Sequence, residues 1–383
     1  MRIGIDARTI LNPEHGNTIG SGHYTYQFIR HLLEEDKENQ YVIFFDFRVR
    51  EKDVKKFTRE NVSIRFYPFS DYKKYLPGAY SELLGRATLV REKLDILHST
   101  SPISRIPAGY RGKTVSTFHN LGVFAYGDLY PRMRKVRDRA LMRFMAQKTN
   151  HIIAVSDALA EDVSKKFERK REDITVIHTG VDSRFFEEPK IDGSKFREKC
   201  GIDSPYILFL GTLSPINNIT RLLEAFAKFC EKSKENKKYQ LVLAGKRDWM
   251  TKEFKQMAKD LGIASRLVFT GYVVGDDLVP LFKASEFFIM PSLYEGFGST
   301  VLEALATGTP TLASRVTSIP EIAGDAVRFF DPLDKDAMAE EMDIFAHDEA
   351  MRKEYAQKGP EQAKKYTWKK TAQETLEVYK KLS

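Results

Sequence analysis

Short apolar runs recur along this chain at the spacing of strands separated by helices, and each run is too continuous to leave one face in water. RIGID at 2–6, YVIFF at 41–45, VSIRFY at 62–67, DILHST at 95–100, KTVSTFH at 113–119, HIIAVS at 151–156 and ITVIHTGV at 174–181 read as strands covered on both faces. Helical patterns stand between them, such as SGHYTYQFIRHLLEED and SDALAEDVSKKFERK, the second opened by Ser156 or Asp157 as N-cap. Strand and helix in alternation predict a parallel α/β sheet.

The rhythm pauses after ITVIHTGV and restarts with YILFLGTL at 206–213, YQLVLAG at 239–245, RLVFTGYV at 266–273, EFFIMPS at 286–292 and TPTLAS at 309–314. A chain of 383 residues is long enough for two cores. The expected organisation is a first lobe over 1–182, a hinge over 183–204 and a second lobe over 205–365. YTWKKTAQETLEVYKKLS at 366–383 is an amphipathic helix with no strand after it, expected to pack back on the first lobe.

In open parallel sheets, ligands bind beyond the carboxyl ends of the strands. The segment leaving EFFIMPS, PSLYEGFGSTVLEALATGTPT, sets Glu295 and Glu303 in a small and apolar stretch. LYEGFG reads as a loop and STVLEALATG as a helix, with Gly308 as its C-terminal cap and Pro310 starting the next strand. Gly296 and Gly298 allow a backbone to approach a ligand closely, and the N–H groups of Phe297 to Thr300 fall at a helix N-terminus, where anionic oxygens are favoured. A carboxylate in such surroundings costs free energy unless it is hydrogen-bonded, and a ribose diol or a hexose could supply the hydroxyls. A plainer role also fits, with Glu303 offsetting the helix dipole and Glu295 solvated in its loop. Residue chemistry alone leaves both open.

The spacing of Glu295 and Glu303 resembles the EX7E signature of the family 4 retaining glycosyltransferases. The likeness extends along nearly all of the chain, through IGIDART, GSGHYTYQFIRHL, HIIAVSDALAEDV, VIHTGVD, YILFLGTLSPINNITRLLEAF, LVLAGKRDW, SIPEIAGDA and YTWKKTAQETLEVY, and its pattern is most similar to the bacterial mannosyltransferase branch. It implies the GT-B fold: two Rossmann-like parallel-sheet lobes facing each other across a deep cleft, with a nucleoside-diphosphate sugar on the C-terminal lobe and an acceptor on the N-terminal lobe.

The resemblance also implies roles. Glu295 would contact the donor sugar and Glu303 the ribose hydroxyls. Amides of Phe297, Gly298 and Ser299 would hold sugar hydroxyls, with Thr300 and Val301 close to the diphosphate. Gly20, Ser21 and Gly22 would form a glycine loop facing the diphosphate, Thr212 and Lys246 would join the donor-binding set, and His119 in STFHN would orient the reacting sugar. On spacing alone the glycines also suit an ordinary βα turn, and His119 a structural site. Same-face attack, with the leaving phosphate helping to take the acceptor proton, needs no protein nucleophile, metal or cofactor. GDP-mannose is the first donor expected and UDP-glucose the second.

One loop departs from the family pattern. Where the family carries Arg and Lys in a sequence like SPRKN, this chain has SPINN, with Ile216 and Asn217 at the positions of the two cations. Asn120 also stands where Asp often follows the histidine. Lys246 or Arg221 could supply the missing charge. Alternatively, the chain binds a nucleotide sugar with weak or no transfer. A third reading is another enzyme of this fold, such as a sugar phosphorylase.

The net charge of +8 suits an anionic substrate, anionic lipid or nucleic acid. No zinc-finger, RNA-sheet or DNA-helix pattern favours the last. The densest basic stretch, PRMRKVRDRALMRFMAQK, is a helix pattern that could rest on anionic headgroups beside a lipid-linked acceptor, or be a solvated face with an apolar side in the core. Two cysteines make no disulfide framework, no apolar run reaches a membrane span, and the start lacks a signal-peptide pattern. The expected location is the cytosol, peripheral to the inner face of the membrane where the basic helix engages it.

Overall fold

The computed structural model describes residues 1–11, 20–46, 48–67, 78–246 and 250–383. Among these residues the strands form two sheets, parallel throughout. The first holds β1 (Arg2–Asp6), β2 (Gln40–Asp46), β3 (Val62–Tyr67), β4 (Ile96–Ser99), β5 (Lys113–Phe118), β6 (His151–Ala154) and β7 (Ile174–Val176), in the order β3-β2-β1-β4-β5-β6-β7. The second holds β8 (Tyr206–Leu210), β9 (Gln240–Ala244), β10 (Leu267–Gly271), β11 (Phe287–Met290), β12 (Thr311–Ser314) and β13 (Arg328–Phe330), in the order β10-β9-β8-β11-β12-β13. Each apolar run marked in the sequence contains a strand. β13 has no counterpart among them, because three residues at a sheet edge give no readable period.

Burial explains the continuous runs. Every residue of β8, β9, β11 and β12 is buried, so both faces must be apolar. The helix Ile219–Lys232 covers part of the second sheet with Ile219, Leu222, Leu223, Phe226 and Phe229, all fully buried. In the first lobe, Ser156 caps the helix Asp157–Phe167 by accepting a hydrogen bond from the Leu159 N–H at 3.1 Å, which decides between the two candidate caps.

Two compact units result. One comprises Met1–Phe124, Pro131–Gly180 and Thr367–Ser383, the other Ala125–Tyr130 and Val181–Tyr366. Within the first, the C-terminal helix Trp368–Leu382 packs on the helix Gly20–Glu35, with Trp368 edge-on to Tyr24 at 5.7 Å and the Tyr379 hydroxyl 2.5 Å from Nδ1 of buried His98. Gly180 is required there, since a Cβ would lie 2.1 Å from the Trp368 nitrogen. The stretch expected as a hinge is structured instead and belongs to the second unit. It contains a 3₁₀ turn at Ser183–Phe186 and a helix at Gly193–Cys200, because Phe185 and Phe196 are buried, Phe185 edge-on to Phe282 at 6.1 Å. Among the described residues no helix is long and apolar enough to cross a membrane.

In both sheets the strand order reverses once, between β1 and β4 and between β8 and β11. Loops leaving such neighbouring strands diverge and open a crevice at their carboxyl ends. In the second lobe these loops are 211–218 and 291–298.

Candidate active site

The loop after β11 turns into the helix Ser299–Ala306 at Gly298, whose φ of +93° disfavours any residue with a side chain. A Cβ there would also lie 2.5 Å from Cδ1 of Ile319. The helix closes at Gly308, φ +71°, where the Gly308 N–H donates to the Leu305 carbonyl and the Thr309 N–H to that of Ala304. At its start the Val301 and Leu302 N–H groups are bound to the Gly298 carbonyl. The Val301 amide is therefore committed within the helix, and its side chain is fully buried. Ser299 and Thr300, exposed and half-buried, carry the N–H groups that precede the intrahelical ladder. Phe297 is buried, edge-on to Tyr366 at 6.0 Å.

Glu295 and Glu303 are both half-buried. Glu295 accepts one side-chain hydrogen bond, from the Ser292 hydroxyl at 2.8 Å. No group among the described residues donates to the Glu303 carboxylate. Desolvation pushes both acids up to about 7; Ser292 partly offsets it at Glu295, while near Glu303 the Arg184 cation lowers the value and Asp182 raises it. Two acids short of donors, at the mouth of a helix N-terminus, are what a polyhydroxyl ligand would satisfy.

The loop after β8 is joined to this junction. The Leu293 N–H donates to the Ile216 carbonyl at 2.9 Å. Asn217 gives its side-chain N–H to the Thr212 carbonyl at 2.6 Å, and its Oδ1 lies 3.4 Å from the Ser292 hydroxyl. Thus Asn217 spends its amide bracing the loop where a cation was expected. Arg221 is engaged with Asn218 Oδ1 at 3.1 Å. Lys246 is exposed just after β9, its carbonyl accepting from the Leu213 N–H at 3.1 Å, so it stands beside Thr212 and Leu213. Gly245 permits this approach, since a Cβ would fall 2.0 Å from the Gly211 carbonyl oxygen. Arg247, Asp248 and Trp249, quoted for the resemblance, lie outside the described residues.

In the first lobe Gly20, Ser21 and Gly22 open the helix Gly20–Glu35 and form its first turn, with the Ser21 carbonyl accepting from the Thr25 hydroxyl at 2.7 Å. His119, half-buried at the end of β5, has Nε2 2.7 Å from the Thr100 carbonyl and its ring edge-on to Tyr24 at 4.6 Å. Burial lowers its pKa to about 4, so the ring is neutral at pH 7, donates from Nε2, and keeps Nδ1 as an acceptor. Asn120 accepts from the Gly122 N–H at 2.6 Å, at the start of the short helix Gly122–Ala125.

Sequence reasoning missed the residues that brace Glu295. Besides Ser292, the Thr317 hydroxyl accepts from the Glu295 N–H at 3.0 Å and donates to its carbonyl at 2.6 Å, and buried Ser318 donates to the same carbonyl at 3.0 Å. The available signal was position: both follow β12, the next strand of the sheet.

Comparison with known proteins agrees with this architecture. The family profile Glycosyltransferase Family 4 matches residues 19–185, and Glycosyl transferases group 1 matches 192–362. O-antigen chain mannosyltransferase B of Escherichia coli is 27% identical over 371 residues, covering 95% of this chain and 96% of that protein. An uncharacterized glycosyltransferase of Methanocaldococcus jannaschii is 32% identical over 276 residues, covering 70% and 68%. HepE of Anabaena, solved with UDP and glucose, superposes with a TM-score of 0.75 at 17% identity, covering 100% of each chain. The chain belongs to the family 4 glycosyltransferases of GT-B fold, and is by class a hexosyltransferase.

The two acids make stability pH-dependent. Their folded values, about 7, stand above the ordinary 4.5, so the stabilisation they bring is complete below about 4.5 and is lost as pH rises through 7. The thermal unfolding midpoint is expected to fall between pH 5 and 8, by a few degrees, and Glu295→Gln with Glu303→Gln to flatten that slope.

Proposed function

We propose that the chain transfers mannose from GDP-mannose, with glucose from UDP-glucose as second choice, to a hydroxyl of a carbohydrate or lipid-linked acceptor in surface polysaccharide or glycolipid synthesis, with retention at the anomeric carbon. The observation that carries this reading is the donor-poor pair Glu295 and Glu303 at one loop-to-helix junction. The mannosyltransferase activity for which the Escherichia coli relative is named supports the sugar. In this reading Glu295 contacts the donor sugar and Glu303 accepts from the ribose diol. Amides of Phe297, Gly298 and Ser299 hold sugar hydroxyls, while Thr300, Thr212 and Lys246 line the diphosphate. In the first lobe, Gly20, Ser21 and Gly22 are assigned to a diphosphate and His119 Nδ1 to a sugar hydroxyl. No metal takes part, so chelator leaves turnover unchanged.

Calorimetry tests the donor site. Glu303→Ala and Glu295→Ala are each expected to weaken GDP-mannose binding about tenfold to a hundredfold, the loss of roughly 1.5–3 kcal/mol of charge-assisted hydrogen bonding. Unchanged affinity in both variants would refute the assignment.

A second reading, a nucleotide-sugar binder with weak transfer, is favoured by one observation: no cationic side chain stands in the 211–218 loop. Ile216→Arg with Asn217→Lys is expected to raise nucleotide release at least about tenfold, allowing for the lost Asn217 amide bond. Tight donor binding without release, in wild type and double variant alike, selects the binder.

The basic helix Arg132–Lys148 exposes Met133 at 87% and Val136 at 61% among exposed Arg132, Arg134 and Arg137. Apolar side chains beside cations suit an anionic lipid surface. The protein is expected to sediment with vesicles containing phosphatidylglycerol and much less with neutral ones, and Met133→Glu with Val136→Glu to abolish the difference.

A further inference from the structure

Thr317 is a β-branched residue with φ of +41°, in the loop between β12 and the helix Ile319–Ala323. That region is unfavourable for a Cβ and more so for a branched one. Glycine would adopt it without strain, and the side chain is exposed, so packing does not explain the residue. What its hydroxyl does is specific: it accepts from the Glu295 N–H and donates to the Glu295 carbonyl, bonding both ends of one residue. The same loop touches the junction twice more. Ser318 donates to the Glu295 carbonyl, and Ile319 lies where a side chain at Gly298 would have to go. Strained residues held by surrounding contacts often mark places where geometry serves function.

We propose that Thr317 is a positioning residue for sugar transfer, whose hydroxyl fixes the backbone of Glu295 so that the carboxylate keeps its place in the donor site. The inference rests on the reading of Glu295 as the donor-sugar contact. Ser292 holds the carboxylate and Ser318 shares the carbonyl, so losing Thr317 removes the partner of the Glu295 N–H and one of the carbonyl's two hydroxyl donors, leaving Glu295 present but loosely placed. Misplacing a group that acts in the transition state lowers kcat more than it raises KM.

The test compares wild type with Thr317→Ser, Thr317→Val, Thr317→Gly and Glu295→Ala. Nucleotide release from GDP-mannose and UDP-glucose, thermal midpoints and hydrogen exchange at the Glu295 amide are measured. Thr317→Ser is expected to stay within about twofold of wild type, while Thr317→Val and Thr317→Gly lose about tenfold in kcat with KM within about threefold. In Thr317→Gly the relieved strain offsets the two lost hydrogen bonds, so its thermal midpoint should stay within a few degrees of wild type and its loss of turnover is read on a folded protein. Exchange at the Glu295 amide should accelerate in the valine and glycine variants and not in the serine variant. Wild-type kcat in Thr317→Val and Thr317→Gly, with Glu295→Ala inactive, overturns the positioning role alone. Full turnover in Glu295→Ala overturns the reading of the site beneath it. Equal protection of the Glu295 amide in all the Thr317 forms overturns the clamp even if no donor is turned over.

Discussion

The reversal of strand order between β8 and β11 is the constraint from which the second lobe's chemistry follows. It sends two loops apart at the carboxyl edge of a sheet whose four inner strands are buried and leaves a helix N-terminus beside them. Backbone must then approach backbone closely, and glycine appears where it does: Gly245 against Gly211, and Gly298 over Ile319. The Leu293 to Ile216 hydrogen bond ties the two loops, so a disturbance in one reaches the other. The first lobe repeats the arrangement, with His119 and Thr100 following β5 and β4 beside its own reversal.

Within that frame, the lobe spends stability on its acids. Two desolvated carboxylates with a single side-chain donor between them among the described residues are worse for the unliganded fold than neutral isosteres would be. Elsewhere the chain satisfies its acids readily: Asp6 is paired with Arg8, and Glu92 with both Arg2 and Arg65. The contrast argues that the hydroxyl donors for Glu295 and Glu303 come from outside. Burial acts similarly on His119, whose depressed basicity keeps it neutral and able to accept a hydrogen bond.

Much of this was legible in sequence because burial on both faces demands continuous apolar runs, and two glutamates in such a run stand out by their cost. What escaped had no such contrast. β13 is too short, and the stretch from Ser183 to Cys200 is so charged that its few apolar residues, the buried Phe185 and Phe196 among them, give no readable period. Ser292, Thr317 and Ser318 are small hydroxyl residues of a kind found in any loop. Their role depends on a left-handed backbone and on two neighbouring strands that periodicity cannot place. Asn217 was read as a missing cation, and only its hydrogen bonds reveal the bracing it provides in exchange.

That exchange bears on how a departing diphosphate would be stabilised. Two cations in the 211–218 loop could each contribute roughly 1.5–3 kcal/mol through charge-assisted hydrogen bonds. The N-terminus of the helix Ser299–Ala306 offers about 0.3–1 kcal/mol when exposed, and up to ~2 in a partly buried setting. The helix therefore recovers at most the part played by one cation. Arg221 is held by Asn218, and among the described residues Lys246 is the cationic residue whose backbone adjoins Leu213. An exposed lysine on a flexible stem gains most when it is desolvated, and a bound donor covering it would do that. In the proposed reaction, stabilisation of the leaving diphosphate would therefore depend on whether Lys246 is covered when the donor is in place.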